Sequence, residues 1–435
     1  MDDRTIFAGS LWSALTPQQA TGTRLDGSEE TDVAIVGGGF LGLSTALHLA
    51  EAGVRVTVLE AEAIGFGASG RNTGFVVPSL KTALGPADVA QHLGKTHADN
   101  YVRLIGGSGD AVFGLIKRLG IDCAAEQKGW FQPAHSAAMA RRLEQRANDW
   151  RGSGADVELV SGDEVARRTG LPGYHGAIFV PSGGQINPLA YVRGLARAAV
   201  AAGAVIHEGA RVSRVEPDRK GWRVRTPAGD VLATRVLLAT NAMVGPLRPE
   251  IEYSMVPARV HQIATGILPG SARRIILPER TPVADTRRHT FAVRWSPDGR
   301  LITGGLVLPG PGSVERARRF FNRRLGFFFP QVGSIKVDYV WSGVVAMTLN
   351  SLPRFVSLGP GLDAAFGCNG RGIALTTSLG RDIAALYAGR MTEAEFPLPV
   401  TAPKAVPGRQ LSRIGPPLYL PWSEFRDWAD SRQAP

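Results

Sequence analysis

The fold of this 435-residue chain is decided by residues 32–42, DVAIVGGGFLG. The first five of these residues form a short apolar, β-branched segment, which is typical of a buried parallel strand. Apolar residues then recur at helical spacing over residues 43–50, and a second β-branched segment at 54–59 ends at Glu60. The order strand, glycine-rich turn, helix and strand predicts a complete βαβ nucleotide-binding unit.

Three spaced glycines, Gly37, Gly39 and Gly42, give this unit the pattern G-x-G-x-x-G. Gly37 allows the tight turn, Gly39 lets a pyrophosphate approach the backbone, and Gly42 lets the helix lie close to the strands. The N-terminus of the helix offers free N–H groups and a positive dipole to phosphates. Glu60 falls at the tip of the second strand, where a carboxylate can accept both ribose hydroxyls and disfavours a 2′-phosphate. The unit therefore predicts a dinucleotide site, and NADP is not the expected ligand.

A loop of small residues after Glu60 narrows the choice of dinucleotide. Residues 67–74 read GASGRNTG, and together with the preceding unit they resemble the D-amino-acid oxidase superfamily of FAD enzymes. In that superfamily the loop runs along the pyrophosphate toward the isoalloxazine ring. Relatives with a covalent flavin carry a His at the position of Arg71 or a Cys around residues 343–346, and this chain has neither. The resemblance therefore implies FAD bound without a covalent link.

Later segments extend the resemblance over residues 31–395. In the family, the residue matching Val212 offers its backbone to the adenine, and the segment matching 235–241 is the last Rossmann strand. Residues 341–343 and the glycine-rich turn 367–372 resemble the other half of the flavin site, where a helix N-terminus can stabilise negative charge on a reduced flavin. The motif and the resemblance together predict as FAD-binding residues Gly37, Gly39, Phe40, Leu41, Gly42, Glu60, Ala61, Ala68, Ser69, Arg71, Asn72, Thr73, Gly74, Val212, Thr240, Asn241, Gly343, Gly370, Arg371, Gly372 and Ile373.

The resemblance implies an α/β fold in which a Rossmann-type FAD-binding domain is interleaved with an α+β substrate domain built on an antiparallel sheet. Alternating segments at 256–265, 289–295 and 300–305 are consistent with such a sheet. The expected division is an N-terminal extension at 1–30, an FAD-binding domain at 31–80, 157–242 and 340–396, a substrate domain at 81–156 and 243–339, and a C-terminal surface tail at 397–435. The prolines of that tail predict an extended conformation.

The resemblance also implies an enzyme that oxidises a C–N bond of an amine or amino acid, and the γ-glutamylputrescine oxidase and glycine oxidase branch is the most similar part of the family. Hydride transfer to flavin N5 would give an imine that hydrolyses to a carbonyl product. O₂ or another electron acceptor would reoxidise the flavin. Val345 stands where glycine oxidase places a carboxylate-binding Arg, and Ile302 stands where sarcosine-type oxidases place a Lys that helps O₂ react.

Four residues, His261, Arg294, Trp341 and Asn369, are the candidates for catalytic or substrate contacts. His261 is expected on a strand that faces the ring, with a hydrogen-bonded structural histidine as the alternative. Arg294 could replace the missing carboxylate clamp, or it could form a structural salt bridge. Trp341 and Trp130 could enclose an amine by cation–π attraction, or both could be core residues.

Two other functional hypotheses stay open. An FAD-dependent 2-hydroxy-acid dehydrogenase would need a cationic clamp, for which Arg294 is the available residue. A non-catalytic flavoprotein would keep the flavin site and use its second domain for binding or assembly. Anaerobic reduction of the flavin by amines, by hydroxy acids or by neither would distinguish the three hypotheses.

The composition limits the partners of the chain. The net charge is +11, with 49 Lys and Arg against 38 Asp and Glu. Almost all of this positive charge is dispersed arginine without a nucleic-acid motif, so we expect small-molecule partners and no nucleic acid. Two cysteines cannot build a disulfide framework, and we expect no metal site. Glycines interrupt the uncharged run 33–50 and no signal-like stretch begins the sequence, so we expect a cytoplasmic protein without stable membrane insertion.

Overall fold

The strand expected at the start of the nucleotide-binding unit lies in the interior of a nine-stranded sheet in the computed structural model. The structure describes residues 3–17, 21–81, 84–333, 335–409 and 415–432. Its strands in chain order are β1 Glu29–Val36, β2 Val56–Leu59, β3 Phe75–Val76, β4 Trp130–Pro133, β5 Glu158–Val160, β6 Ala177–Val180, β7 Gly184–Gln185, β8 Val205–His207, β9 Arg214–Asp218, β10 Gly221–Thr226, β11 Gly229–Leu238, β12 Val256–Thr265, β13 Val283–Ala284, β14 Ala292–Trp295, β15 Leu301–Leu306, β16 Val337–Met347, β17 Arg354–Gly359, β18 Leu362–Phe366 and β19 Val400–Thr401. Its α-helices are α1 Asp3–Ala8, α2 Leu11–Leu15, α3 Phe40–Glu51, α4 Ala68–Arg71, α5 Pro86–Leu93, α6 Lys95–Leu119, α7 Ala137–Gly152, α8 Gly162–Thr169, α9 Pro188–Ala201, α10 Pro249–Glu252, α11 Gly270–Ile275, α12 Ser313–Phe328, α13 Gly372–Tyr387 and α14 Gly415–Arg432.

The nine-stranded sheet has the order β19-β17-β18-β11-β1-β2-β8, and β10 and β9 extend it from β11. β1 pairs in parallel with both β11 and β2, and its last four residues are buried, as expected for a strand covered on both faces. Helix α3 follows β1 after the glycine-rich turn and packs between α9 and α13. The predicted Rossmann-type βαβ unit is confirmed.

The second sheet has eight strands in the order β16-β12-β15-β14-β13-β4-β6-β5. Neighbouring strands pair antiparallel, except β13 and β4, which pair in parallel. Helix α12 covers one face of this sheet, because its residues Ala317, Phe321 and Leu325 share an apolar cluster with Ile263 and Trp295. The residues that alternate with Ile263 along β12 point to the other face, which is turned toward the nucleotide-binding unit.

Sheet membership differs from the expected division at two places. The strands β5 and β6 lie in the segment 157–242 but pair in the eight-stranded sheet. So does β16, which starts at Val337 and has most of its residues in the segment 340–396. β16 is paired antiparallel with β12 from Val256 opposite Met347 to Thr265 opposite Val337. An apolar strand has the same alternation whichever sheet it joins, so its partner could not be read from its own residues.

The C-terminal segment is not the extended surface tail that its prolines predicted. β19 pairs in parallel with β17, and α14 forms a helix of 18 residues. On α14, Asp427 accepts hydrogen bonds from the backbone N–H groups of Arg288 at 3.0 Å and His289 at 3.1 Å. The prolines at 416–417 lie in the first turn of α14, where proline is tolerated, and Pro421 lies inside the helix. Residues 410–414 and 433–435 of the expected tail lie outside the described residues.

The N-terminal extension is packed into the molecule. Trp12 is fully buried, its indole N–H donates to the backbone carbonyl of Asn72 at 2.8 Å, and its ring meets Trp341 edge-on at 6.3 Å. The extension therefore supports the loop that follows Glu60. Within the described ranges, no helix combines the length and the apolar character needed to cross a membrane.

Candidate active site

A cavity of about 770 Å³ runs from the carboxyl ends of β1, β2 and β11 to the eight-stranded sheet. Ligands of open α/β sheets bind at this edge, and the volume is in the range of cofactor and substrate sites. We call the part lined by residues 36–41 and 59–62 the nucleotide end. We call the part lined by residues of the eight-stranded sheet, among them Trp130, Gln132, Val260, Gln262 and Gly304, the sheet end.

The glycine-rich turn at the nucleotide end leaves space for backbone only. Gly37 has a φ of 113°, and a Cβ atom there would lie 2.9 Å from the carbonyl oxygen of Ala239. A Cβ atom on Gly42 would lie 2.1 Å from the carbonyl oxygen of Gly37, so α3 rests directly on the turn. The N-cap of α3 is Gly39, which has no capping side chain, and the first turn of the helix lines the cavity. This arrangement fits the pyrophosphate of a dinucleotide.

Glu60 lines the cavity at the end of β2, in the place predicted for a ribose-binding carboxylate. Its carboxylate accepts hydrogen bonds from the backbone N–H groups of Gly38 at 2.8 Å and Glu62 at 3.0 Å. Burial raises the pKa of Glu60, and the two N–H donors oppose this shift. Each oxygen atom keeps acceptor capacity for a hydroxyl group, so the site fits a ribose diol.

The loop 67–74 is fixed to both the glycine-rich turn and its own backbone. Ser69 Oγ accepts from the N–H of Phe40 at 3.1 Å, which ties the loop to the start of α3. The side chain of Asn72 donates to the carbonyl oxygen of Ser69 at 2.8 Å and accepts from the N–H of Gly74 at 2.8 Å. Arg71 is buried and its guanidinium lies 4.4 Å from the ring of Phe66. The loop is therefore held by side-chain contacts where it lines the cavity.

The other half of the predicted flavin site comes from β16 and the start of α13. A Cβ atom on Gly343 would lie 3.2 Å from Cβ of Arg71, so β16 passes close to the loop 67–74. Gly370 has a φ of 79° in the turn before α13, and Arg371 is the N-cap of that helix. All the predicted FAD-binding residues line the cavity except Gly42 and Gly74, which instead hold backbone segments close together.

His261 does not face the part of the cavity assigned to the flavin ring. This orientation corrects the expectation from the sequence. It pairs with Gly305 on β15, and a Cβ atom on Gly305 would lie 3.4 Å from Phe321 of α12. His261 therefore lies on the face covered by α12, where burial, aided by Arg259 and Arg316, lowers its pKa to about 4. Because side chains alternate along a strand, its neighbour Gln262 is the residue that lines the cavity.

Arg294 holds backbone instead of offering a clamp to a substrate. Its Nη1 atom donates to the carbonyl oxygens of Thr73 at 3.1 Å, Gly74 at 2.9 Å and Ile186 at 2.7 Å. Its side chain is fully buried, lies outside the cavity wall and forms no salt bridge within the described structure. Arg294 therefore links β14 of the eight-stranded sheet to the end of the loop 67–74.

Trp341 and Asn369 are also behind the cavity wall. The indole N–H of Trp341 donates to the carbonyl oxygen of Arg71 at 2.9 Å. The side chain of Asn369 accepts from the N–H of Thr348 at 2.9 Å and donates to the carbonyl oxygen of Gly367 at 2.6 Å, which fixes the turn before α13. The suggested cage of Trp341 and Trp130 is wrong, because only Trp130 lines the cavity.

Several residues at the sheet end had not been identified from the sequence. They are Lys81, Gln132, Gln262 and Gly304. The alternation of β12 could have selected Gln262 in place of His261, but no motif marks Lys81 or Gln132. The Oε1 atom of Gln262 is buried and has no hydrogen-bond partner within the described structure, so it can accept a bond from a ligand. No group of three or more His, Cys, Asp or Glu residues in the described ranges could hold a metal ion.

Comparison with known proteins shows which family and which relatives this chain resembles. Residues 32–386 match the family model described as FAD dependent oxidoreductase. The chain is 34% identical to gamma-glutamylputrescine oxidoreductase of Escherichia coli strain K12 over 390 residues, which cover 88% of this chain and 90% of that protein. It is 26% identical to glycine oxidase of Geobacillus kaustophilus over 83% of this chain and 94% of that protein. The crystal structure of this glycine oxidase matches with a TM-score of 0.67 and 24% identity, over 83% of this chain and 96% of that chain.

Proposed function

The chain belongs to the DAO family of FAD-dependent oxidoreductases, and on this premise we propose that it oxidises the C–N bond of an amine or amino acid. The observation that carries the proposal is the shape of the cavity. A dinucleotide cradle at one end continues without interruption into a wall of apolar and amide side chains at the other end. The cofactor and a small substrate can therefore occupy one continuous site.

The residues of the nucleotide end and the loop 67–74 fit FAD. Glu60 would bind the ribose, the turn at Gly37 and the first turn of α3 would bind the pyrophosphate, and Arg71 and Gly343 would flank the ring system. The cofactor would be held non-covalently, because Arg71 and residues 343–346 stand where covalent relatives carry the linking His or Cys. When bound, FAD supplies the hydride acceptor for the carbon that bears the nitrogen, and the imine product hydrolyses to a carbonyl compound.

The sheet end supplies orientation and charge to the substrate. The unpartnered Oε1 atom of Gln262 can accept a hydrogen bond from the substrate N–H, which fixes the nitrogen relative to the wall. Lys81 and Arg371 bring positive charge to the same end, and a nearby like charge lowers the pKa of an ammonium group. The positive charge favours a bound amine that is neutral, as oxidation at the adjacent carbon requires.

A 2-hydroxy-acid dehydrogenase would need a cation that binds the substrate carboxylate, and Arg294 was the residue expected for it. Arg294 instead binds backbone carbonyl groups outside the cavity. The experiment that tests the proposal is anaerobic mixing of the FAD-loaded enzyme with amines, amino acids and 2-hydroxy acids while flavin absorbance is followed. We expect bleaching by a subset of the amines or amino acids. Bleaching by hydroxy acids alone would overturn the proposal in favour of the alternative, and no bleaching by any compound would favour a non-catalytic flavoprotein.

The same sample tests the electron acceptor. We propose O₂ or another electron acceptor, and air admitted to the reduced enzyme distinguishes the two. Ile302 is buried in the core and supplies no cation for reaction with O₂. Recovery of the flavin colour within seconds would identify an oxidase, and recovery only with an added dye would identify a dehydrogenase.

We also propose that the partners are small molecules and that the enzyme acts in the cytoplasm. Dispersion of the arginines supports this view, since many of them form ion pairs with acidic neighbours, as Arg223 does with Asp218 at 2.7 Å and Asp230 at 3.1 Å. Nucleic-acid binding depends on concentrated, unpaired positive charge. A fluorescent DNA or RNA duplex should not bind at 0.15 M salt, and micromolar binding there would contradict the proposal.

A further inference from the structure

A loop between β13 and β14, residues 285–291, forms part of the wall at the sheet end of the cavity, and we call it the wall loop. Asp285 and Thr290 of this loop line the cavity, and so does Ala292 at the start of β14. The two strands pair antiparallel, and the backbone N–H of Asp285 donates to the carbonyl oxygen of Phe291 at 3.0 Å. The wall loop is therefore the turn of a hairpin that is closed at its base.

The base of the wall loop is fixed mainly by its own residues. The buried carboxylate of Asp285 accepts hydrogen bonds from the backbone N–H groups of Phe291 at 2.8 Å and Arg287 at 3.2 Å. Its other oxygen atom accepts from the hydroxyl group of Tyr174 at 3.0 Å and from the guanidinium of Arg287. These bonds do not involve the C-terminal helix α14, so they would hold Asp285 in the wall whether or not that helix is docked.

The apex of the wall loop is held by two neighbouring helices. Asp427 of α14 accepts from the backbone N–H of Arg288 at 3.0 Å through Oδ1 and from that of His289 at 3.1 Å through Oδ2. Arg324 of α12 donates to the carbonyl oxygens of His289 at 2.7 Å and Thr290 at 3.2 Å. One carboxylate and one guanidinium therefore bind four backbone groups of the apex.

The docking of α14 depends largely on polar contacts with this apex. Leu420, Ser423 and Asp427 are buried at the spacing of one helix face, and of the buried side chains described on α14 only Leu420 is apolar. The side chain of Arg288 also donates to Asp430 at 2.6 Å. The aromatic residues of the helix are 40–61% exposed: Tyr419, Trp422, Phe425 and Trp428. The hydrogen bonds of Asp427 are therefore a main link between α14 and the wall loop.

Thr290 is the cavity-lining residue whose position follows the apex. Its backbone carbonyl is bound by Arg324, and its Oγ1 donates to the carbonyl oxygen of Arg287 at 3.0 Å. If Asp427 were absent, the two N–H donors of the apex would each lose a charge-assisted hydrogen bond, the stronger class of hydrogen bond in proteins. The apex would then sample several conformations and Thr290 would move with it, whereas the base at Asp285 would stay in place.

We propose that Asp427 is a positioning residue for the substrate, because it fixes Thr290 in the cavity wall through the backbone of the apex. This inference rests on the proposed function, and it assigns part of the substrate site to the C-terminal helix. A loose apex would leave only a fraction of the molecules with a complete wall, and the apparent affinity for the substrate falls by that fraction. The predicted FAD-binding residues belong to other segments of the chain, so the affinity for the cofactor should not change.

The first test measures the wall loop without any substrate. Hydrogen–deuterium exchange, followed by mass spectrometry, is compared for the FAD-loaded parent enzyme and for Asp427→Asn, which keeps the shape of the side chain but loses its charge and one acceptor. We expect exchange in the peptide that covers 285–291 to become roughly fivefold faster or more, because the N–H groups of the apex lose their protection. Unchanged exchange in this peptide would overturn the proposal.

Asp430→Asn is the matched control, because it makes the same change of charge on the same helix. Asp430 accepts from the side chain of Arg288 at 2.6 Å, and no hydrogen bond within the described chain joins it to the backbone of the wall loop. Exchange in that loop should stay within about twofold of the parent. Equal acceleration in both variants would assign the effect to docking of α14 as a whole, and the proposal would fail.

The second test measures substrate binding with an amine that reduces the flavin of the parent enzyme. From anaerobic reduction at varied amine concentration, we expect Asp427→Asn to raise the substrate Kd by roughly 5- to 30-fold. The limiting rate of reduction and the Kd of FAD should stay within about twofold of the parent. Asp427→Glu keeps a displaced carboxylate and should recover part of the affinity, and it gives the same comparison if Asp427→Asn does not fold. A joint loss of FAD affinity and limiting rate would indicate a general structural effect and would overturn the proposal.

A double-mutant cycle tests the route through Thr290 and separates this inference from the proposed function. If Asp427 acts by placing Thr290, the variant Thr290→Ala should make the substrate Kd nearly insensitive to Asp427→Asn, so that the two changes are not additive in free energy. Additive effects would overturn the proposal alone. Faster exchange of the wall loop in Asp427→Asn, with no flavin reduction of the parent by any amine, would overturn the proposed function and leave the contact between α14 and the loop in place.

Discussion

The two ends of the cavity are built in different ways. At the nucleotide end the binding groups are mostly backbone atoms of one continuous unit, residues 32–62, held by Gly37, Gly42 and Glu60. At the sheet end they are side chains from separate strands and from the segment around Lys81. The nucleotide end therefore suits a cofactor common to a whole family, whereas the sheet end can change one side chain at a time.

Arg294 connects the two ends of the cavity. It lies on β14 of the eight-stranded sheet and donates to three carbonyl groups in and next to the loop 67–74. Arg294→Met should lower the free energy of unfolding by about 3 kcal/mol or more. The carbonyl oxygen of Ile186 loses its buried donor, and that of Gly74 keeps only the N–H of Ile186. Urea denaturation with parallel measurement of bound FAD checks this. Arg55→Met, at an exposed pair with Asp32, is the control and should change little. Normal stability of Arg294→Met would show that the two ends are independent.

Gly42→Ala tests whether the nucleotide end depends on close backbone contact. The added Cβ atom would lie 2.1 Å from the carbonyl oxygen of Gly37, so the turn or α3 must move. Such overpacking costs about 1–3 kcal/mol, which corresponds to a roughly 10- to 100-fold loss of FAD affinity. FAD content after purification and a Kd from reconstitution measure it. Gly114→Ala on α6, where a Cβ meets nothing within 4 Å, should keep its FAD. Full FAD in Gly42→Ala would contradict the account of the turn.

Glu60→Gln tests a side-chain contact at the nucleotide end, because Glu60 is the carboxylate that we assign to the ribose of FAD. The variant should bind FAD roughly tenfold more weakly, since a charge-assisted hydrogen bond becomes a neutral one. Fluorescence titration of the apoenzyme with FAD gives the Kd. Glu51→Gln, which removes an exposed partner of Arg118, should not change this Kd. An unchanged Kd in Glu60→Gln would argue against the ribose contact.

Gln262→Leu and His261→Leu test the sheet end with two neighbours on one strand. Gln262 lines the cavity and His261 lies beneath α12, so only the first should affect the substrate. Loss of one hydrogen bond, about 1 kcal/mol, should raise the substrate Kd in Gln262→Leu by roughly fivefold. His261→Leu should leave that Kd within about twofold of the parent. Anaerobic flavin reduction at varied substrate concentration provides both values, and the opposite order would refute the assignment of the two faces.

The sequence was sufficient for the nucleotide end because that end is local. The turn at Gly37, the carboxylate at Glu60 and the loop 67–74 follow one another along the chain, and their conformations depend on neighbouring residues. The antiparallel character of the second sheet was also predictable from alternation. These features need no knowledge of which distant segments come together.

The structure of the sheet end depends on pairing between strands that are far apart in the sequence. This explains why the predictions for His261 and Arg294 failed. The face to which His261 points is decided by the register of β12 against β15 and by the helix that covers it, and a shift of one residue reverses it. The role of Arg294 depends on carbonyl groups more than one hundred residues away. No sequence motif includes Lys81. Its proximity to Arg146 and Arg371 depends on the packing of elements that are distant in the sequence.

The contact between α14 and the loop before β14 has a consequence for the order of protein synthesis. The backbone N–H groups of Arg288 and His289 donate to Asp427, which is translated 139 and 138 residues after them. Thr290 of that loop and Ala292, the first residue of β14, line the cavity. Until residue 427 has left the ribosome, these two donors lack this acceptor. The nucleotide end is translated hundreds of residues earlier, so a nascent chain can assemble its β1–α3–β2 unit well before the pocket for the substrate is complete.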